Sequence, residues 1–143
     1  MIKIMFVCTG NTCRSPMAEY LLKNLIKKAD VKDVKVTSAG LCADENDKIN
    51  PEAVRVLKKY SIIVRRFKPK KADAELCGKQ NAVICMTEKH KSYFVGFKNV
   101  YTLDELTGCG EIPDPYGLGT AAYEACAEKL ATACEKIFEL LTK

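Results

Sequence analysis

The sequence predicts an α/β protein, a three-layer α/β/α sandwich with a four-stranded parallel wound sheet of flavodoxin-like type. Three observations carry that prediction. Four short apolar segments, at residues 2–7, 34–38, 82–86 and 100–101, have the length and residue types of strands. Helical patterns lie between and after them, as right-handed crossovers between parallel strands require. The first strand runs through a short Gly-Asn loop directly into a helix, and ligands of wound sheets sit beyond the carboxyl ends of strands.

The first strand is Ile4-Met5-Phe6-Val7, β-branched and aromatic residues without polar interruption, which reads as buried on both faces. After the loop, Met17, Leu21 and Leu25 recur every fourth residue from Arg14 onward and mark one helix face. Val34-Lys35-Val36-Thr37-Ser38 alternates apolar and polar residues, a second strand leading into Ser38-Ala39-Gly40. Asn50-Pro51-Glu52 combines a capping side chain, a first-turn proline and an acid near the positive helix end. Ala53, Val54 and Leu57 are the expected buried face of that helix. Ile62-Ile63-Val64 reads either as a strand fragment or as a core-facing loop.

Ala82-Val83-Ile84-Cys85-Met86 is a third buried strand, and Thr87 caps the helix after it. Val100-Tyr101 makes a short fourth strand. Thr102-Leu103-Asp104-Glu105 then matches a capping box and predicts one or two helical turns. A loop rich in Gly and Pro carries Asp114-Pro115-Tyr116-Gly117. The final helix starts near Thr120, with a stripe of Tyr123, Cys126, Leu130, Cys134, Ile137 and Leu141.

At 143 residues, 48% hydrophobic and 29% charged, the chain has the size and composition of one globular domain spanning residues 1–143. No apolar run approaches the ~20 residues of a membrane span and the start lacks a signal-peptide pattern, so a cytoplasmic protein without membrane partners is expected. Eight cysteines do not read as a disulfide scaffold, because several fall at core positions and no secretory signal precedes them. None shows the spacing of a zinc site, and neither a metal nor another cofactor is expected. Net charge is +5, and the dense basic run at residues 65–71 reads as a solvated surface rather than a nucleic-acid site.

The chemistry concentrates in Cys8-Thr9-Gly10-Asn11-Thr12-Cys13-Arg14-Ser15. Gly10 and Asn11 tolerate unusual backbone angles and let the chain curl. Successive N–H groups of such a curl point inward as an anion nest, and the helix N-terminus behind it adds partial positive charge. Arg14 closes the ring with a planar fork suited to two oxygens of a tetrahedral oxyanion. Cys8 stands under the same positive field, which favours the thiolate form that attacks phosphorus.

Residues 7–19, Val-Cys-Thr-Gly-Asn-Thr-Cys-Arg-Ser-Pro-Met-Ala-Glu, resemble the phosphate-binding loop of low-molecular-weight protein phosphatases. Ser38-Ala39-Gly40 and Asp114-Pro115-Tyr116 follow in the order that family has, so the resemblance covers essentially the whole chain. It implies hydrolysis of phosphorylated protein side chains through a phosphocysteine on Cys8, with Arg14 as clamp. Asp114, by the same resemblance, protonates the leaving group and later activates water. Residues Thr9 to Cys13 would hold inorganic phosphate or the phosphoryl group. Ser15 would steady the Cys8 thiolate, and Asn11 with Ser38 would brace the loop. Cys13 is either a buried small side chain or a thiol that resolves oxidised Cys8. A histidine that joins the bracing network in relatives aligns near Arg66. The only histidine here, His90, therefore reads as structural.

Departures from the tyrosine-specific pattern bear on the substrate. Relatives acting on phosphotyrosine usually have isoleucine where this chain has Thr12, and often a second aromatic residue where Gly117 follows Tyr116. The loop after Gly40, Leu-Cys-Ala-Asp-Glu-Asn-Asp, has no aromatic residue. These features resemble the protein-arginine-phosphatase branch and favour phosphoarginine, with a protein-tyrosine phosphatase as the alternative. A thioredoxin-coupled arsenate reductase would need two further cysteines close together after the third strand. Met86 to Phe97 contains none.

Overall fold

The computed structural model describes residues 1–143. Its strands are β1 (Ile2–Cys8), β2 (Val34–Gly40), β3 (Ala82–Cys85) and β4 (Val100–Thr102). Its helices are α1 (Arg14–Lys28), α2 (Pro51–Lys59), α3 (Ala74–Gly78), α4 (Glu88–Lys91), α5 (Leu103–Thr107) and α6 (Thr120–Thr142). All strands are parallel in the order β2-β1-β3-β4. The chain therefore winds outward in both directions from β1, and the crevice for ligands is expected at the carboxyl ends of the neighbouring strands β1 and β3, where the winding reverses.

Strand β1 is central and its last five residues are buried, which is why its sequence is continuously apolar. Side chains alternate between the sheet's two faces. Ile4, Phe6 and Cys8 join a large cluster with α1, α2 and α6, while Met5 and Val7 join a smaller one with Cys77, Phe94 and Val100. At the strand's end the alternation sends Cys8 toward α1, under the start of that helix.

The predicted caps form. Asn50 accepts the N–H of Glu52, Thr87 accepts that of His90, and Thr102 and Glu105 complete a reciprocal capping box. One expectation changes and one open alternative is decided. Val56 rather than Val54 joins Ala53 and Leu57 on the buried face of α2. Residues 62–64 form no strand, and Ile62 points into the core while Ile63 is exposed, which matches the core-facing loop. Leu25 and Leu141 end their stripes half-buried at the sandwich edges. Helix α3, capped by Asp73, was not anticipated.

Candidate active site

Residues 9–13 curl from the end of β1 to the start of α1. Asn11 turns the curl with φ 57°, a left-handed conformation that asparagine tolerates better than most residues. The curl lies directly on β2. A Cβ at Gly40 would stand 2.7 Å from Asn11 N and Thr9 O, so only glycine lets backbone meet backbone there. Further contacts fasten the curl to that strand's end, with Leu41 N donating to Cys8 O and Cys42 N to Thr9 O.

The Cys8 sulfur lies 2.9 Å from the Ser15 hydroxyl and accepts the Ser15 N–H at 3.4 Å. Asn11 supplies one donor to that hydroxyl. Its Oδ1 accepts the Lys70 N–H at 3.0 Å, and a backbone N–H can only donate, which fixes the amide orientation. Nδ2 then donates to both Ser15 Oγ and Ser38 Oγ, each at 2.9 Å. The Ser15 proton has two acceptors within reach, the Ala39 carbonyl at 3.4 Å and the Cys8 sulfur at 2.9 Å, and a thiolate sulfur can only accept. Ser38 passes its own proton to the buried carboxylate of Glu19 at 2.6 Å, and Lys23 neutralises the far oxygen. A polarised chain thus runs from Glu19 through Ser38, Asn11 and Ser15 to Cys8, every member but Lys23 buried.

The Arg14 guanidinium is buried and held at several points. Nη1 donates to Ile112 O at 3.1 Å, Nη2 donates to Thr9 Oγ1 at 3.4 Å, and Asp114 Oδ2 stands 3.7 Å from Nη2. Asp114 itself is exposed, and its other oxygen accepts the Tyr116 N–H at 3.1 Å, which orients the carboxyl toward the curl. Tyr116 is exposed at the rim. Thr12 is half-buried at the mouth, and its carbonyl accepts the Asn50 N–H at the start of α2.

The structure therefore brings Cys8, Arg14, Ser15 and Asp114 together and links Asn11 to Ser38. The Cys13 sulfur lies 3.1 Å from the Tyr123 hydroxyl. Burial pushes the Cys13 thiol up, so it stays protonated at neutral pH, and burial likewise raises the Tyr123 phenol. All eight cysteines are free.

His90, read as structural, is buried, and its ring lies 3.0 Å from Thr9 Oγ1, so it touches the curl. Arg66, where relatives' histidine aligns, is exposed, and Glu19 is the group that receives Ser38. The basic run does expose its side chains. Its backbone nevertheless supports the site, with Gly40 N donating to Lys70 O and Lys70 N to Asn11. Glu19 lies one helical turn after Ser15, a spacing that places both on one face and offered a readable signal. The Ile112 and Lys70 backbone groups offered none.

Residues 3–143 match the model of the family described as low molecular weight phosphotyrosine protein phosphatase. The chain belongs to this family. Among relatives, it is 36% identical to a protein-arginine-phosphatase of Bacillus subtilis, covering 98% of this chain and 97% of the relative. It is 34% identical to the low molecular weight protein-tyrosine-phosphatase PtpB of Staphylococcus epidermidis, covering 95% and 96%. A solved structure of YwlE arginine phosphatase, a mutant with a phosphorylated active-site serine, superposes with a TM-score of 0.92 at 35% identity, covering 99% of this chain and 97% of that one. Membership makes this protein a phosphatase of the hydrolase class, and the curl described above occupies the position of the family's phosphate-binding loop, after the first strand.

Proposed function

We propose that this protein hydrolyses phosphoarginine on proteins, with Cys8 as nucleophile, Arg14 as clamp and Asp114 as general acid and base. The Cys8 thiolate attacks phosphorus while the bond from phosphorus to the guanidine nitrogen breaks. The leaving nitrogen takes its proton from Asp114, which stands at the mouth beside Arg14. Water then attacks the phosphocysteine, Asp114 accepts its proton, and phosphate leaves as the sulfur departs as thiolate. Ser15 stabilises that thiolate by donating its hydroxyl and its backbone N–H to the sulfur. Loop N–H groups of residues 9–13 and Arg14 hold the equatorial oxygens in both steps.

The observation that carries the substrate class is the rim. Thr12 presents a hydroxyl where an apolar arm would suit an aromatic ring, and the segment after Gly40 carries the exposed acids Asp44, Glu45 and Asp47. A guanidinium needs polar and acidic neighbours, whereas a phenol needs a ring to stack on. Tyr116 is the one aromatic residue in the Asp114 loop and stands exposed, which keeps phosphotyrosine as the second reading. The relatives described above divide by name between the same two activities. A disulfide relay to thioredoxin finds no support, since burial pushes the thiols of Cys77 and Cys85 up to about 11 and about 12. No helix is long and apolar enough to cross a membrane. We place the protein in the cytoplasm as a single-domain enzyme without a cofactor, acting on phosphorylated proteins and not on nucleic acid.

Rates on matched phosphoarginine and phosphotyrosine peptides test this assignment. A kcat/KM favouring phosphoarginine is expected. A preference for phosphotyrosine would assign the chain to the other activity.

A further inference from the structure

We propose that His90 is a positioning residue that fixes the Thr9 hydroxyl and, through it, the Arg14 guanidinium. The proton directions follow from the contacts. Thr87 Oγ1 accepts the backbone N–H of His90 at 3.2 Å and lies 3.0 Å from ring Nδ1. Nδ1 is the one acceptor within reach of the Thr87 hydroxyl proton, and assigning that proton to it makes Nδ1 the acceptor. A neutral ring then carries its proton on Nε2 and donates it to Thr9 Oγ1 at 3.0 Å. Thr9 Oγ1 also receives Arg14 Nη2. Both acceptor positions of the Thr9 oxygen are filled, and its proton is left over for an oxygen of the bound phosphoryl group.

The surroundings keep the ring neutral, as this arrangement requires. His90 is buried, and burial followed by the Arg14 cation pushes its pKa down to about 4. Asp114 and Glu111 oppose that shift and Lys89 adds to it, so these four charges are the groups that face the ring. A cation here would sit against Arg14. A neutral donor instead ties three pieces of chain together: α4 through His90, the curl through Thr9, and the Asp114 loop through Arg14 and Ile112 O. Thr9 is exposed, and without a fixed donor its hydroxyl is free to rotate away from Arg14.

The inference rests on Arg14 being the oxyanion clamp, so the experiment includes Arg14→Lys as a separate arm. Turnover of p-nitrophenyl phosphate is measured for wild type, Thr9→Val, His90→Phe, His90→Gln and the Thr9→Val/His90→Phe double variant. Thr9→Val and His90→Phe are each expected to lower kcat roughly 10–100-fold, the scale of a displaced catalytic group, with KM changed far less. The double variant should be no worse than the poorer single one, since both break one connection. His90→Gln, which retains an N–H donor, should recover most of the loss. Losses that multiply in the double variant, or wild-type kcat in Thr9→Val, would overturn the proposal. Thr9→Val decides by itself if His90→Phe does not fold. Full turnover by Arg14→Lys would instead refute the clamp assignment.

Discussion

The phosphate curl and the Asp114 loop face each other across one site, yet they are built in opposite ways. In the curl, Cys8, Asn11, Ser15, Ser38 and Glu19 are buried, and each polar atom of the Asn11 side chain has a partner. Across from it, the Asp114 side chain is 54% exposed, and Tyr116 and Leu118 are each 69% exposed. Buried, saturated hydrogen bonds hold one geometry, because any departure leaves a polar group unpaired. An exposed loop changes at little cost to the fold. Under the proposed function, the curl supplies nucleophile and clamp, while the rim supplies the general acid Asp114 and, through Tyr116 and Thr12 at the mouth, the choice of substrate.

If that division holds, a substitution in the curl lowers every activity alike, and one at the rim lowers activities unequally. The largest effect is expected from Cys8→Ser, which should bring turnover of all phosphorylated substrates to background while phosphate still binds, since an alcohol is not ionised near neutrality. Isothermal titration with inorganic phosphate beside a turnover assay checks both halves. Asp114→Asn should cost roughly 10²–10⁴-fold on poor leaving groups and much less on activated aryl phosphates. A plot of rate against leaving-group pKa reads this directly, and a uniform loss would move Asp114 out of the proton-transfer role.

Gly40→Ala strikes the curl without touching a chemical group. Its Cβ would meet backbone at 2.7 Å on two sides, and neither side is a flexible chain end. A loss of roughly 1–3 kcal/mol of stability is expected from such overpacking, with activity falling by one factor on all substrates. Thermal melts and two substrates suffice to measure it.

A smaller effect concerns acid. His90 is held neutral in the fold, with a pKa near 4 against an ordinary value of 6.5. Between those values the unfolded chain binds the extra proton, so this stabilisation is complete above pH 6.5 and is lost as pH falls toward 4. Arg14 and Lys89 favour the neutral ring while Asp114 and Glu111 oppose it. Wild-type Tm should therefore fall more steeply than that of His90→Gln across this window, and parallel curves would contradict the assignment of a neutral ring.

Much of the curl was legible because it is contiguous: nucleophile, turn residues and clamp fall within seven successive positions, Cys8 to Arg14, with a strand before and a helix after. Asn11 and Ser38 were paired only through the family resemblance. The remaining supports were not legible, for physical reasons. Arg14 is held by the backbone carbonyl of Ile112, and Asn11 by the backbone N–H of Lys70, groups that every residue type shares. His90 reaches Thr9 from 81 positions away, and local pattern sees only its cap on Thr87. Helix α3 has five residues, too few to show a period, although Asp73 was available as a cap. In α2 the buried face was misphased at Val54 because nine residues constrain the phase weakly.

The division between curl and rim is tested most directly at Thr12, where the two regions meet. Thr12→Ile keeps the β-branch, and so the backbone preference, while replacing a hydroxyl with a hydrocarbon arm. Loss of a hydrogen bond used to hold a substrate discriminates strongly, whereas an added methylene is worth only ~1–3 kcal/mol. Values of kcat/KM for phosphoarginine and phosphotyrosine peptides, in wild type and Thr12→Ile, give the ratio that decides. The expected result is a clear fall on phosphoarginine with phosphotyrosine turnover kept or raised. Equal loss on both peptides, or an unmoved ratio, would contradict the assignment of substrate choice to the rim.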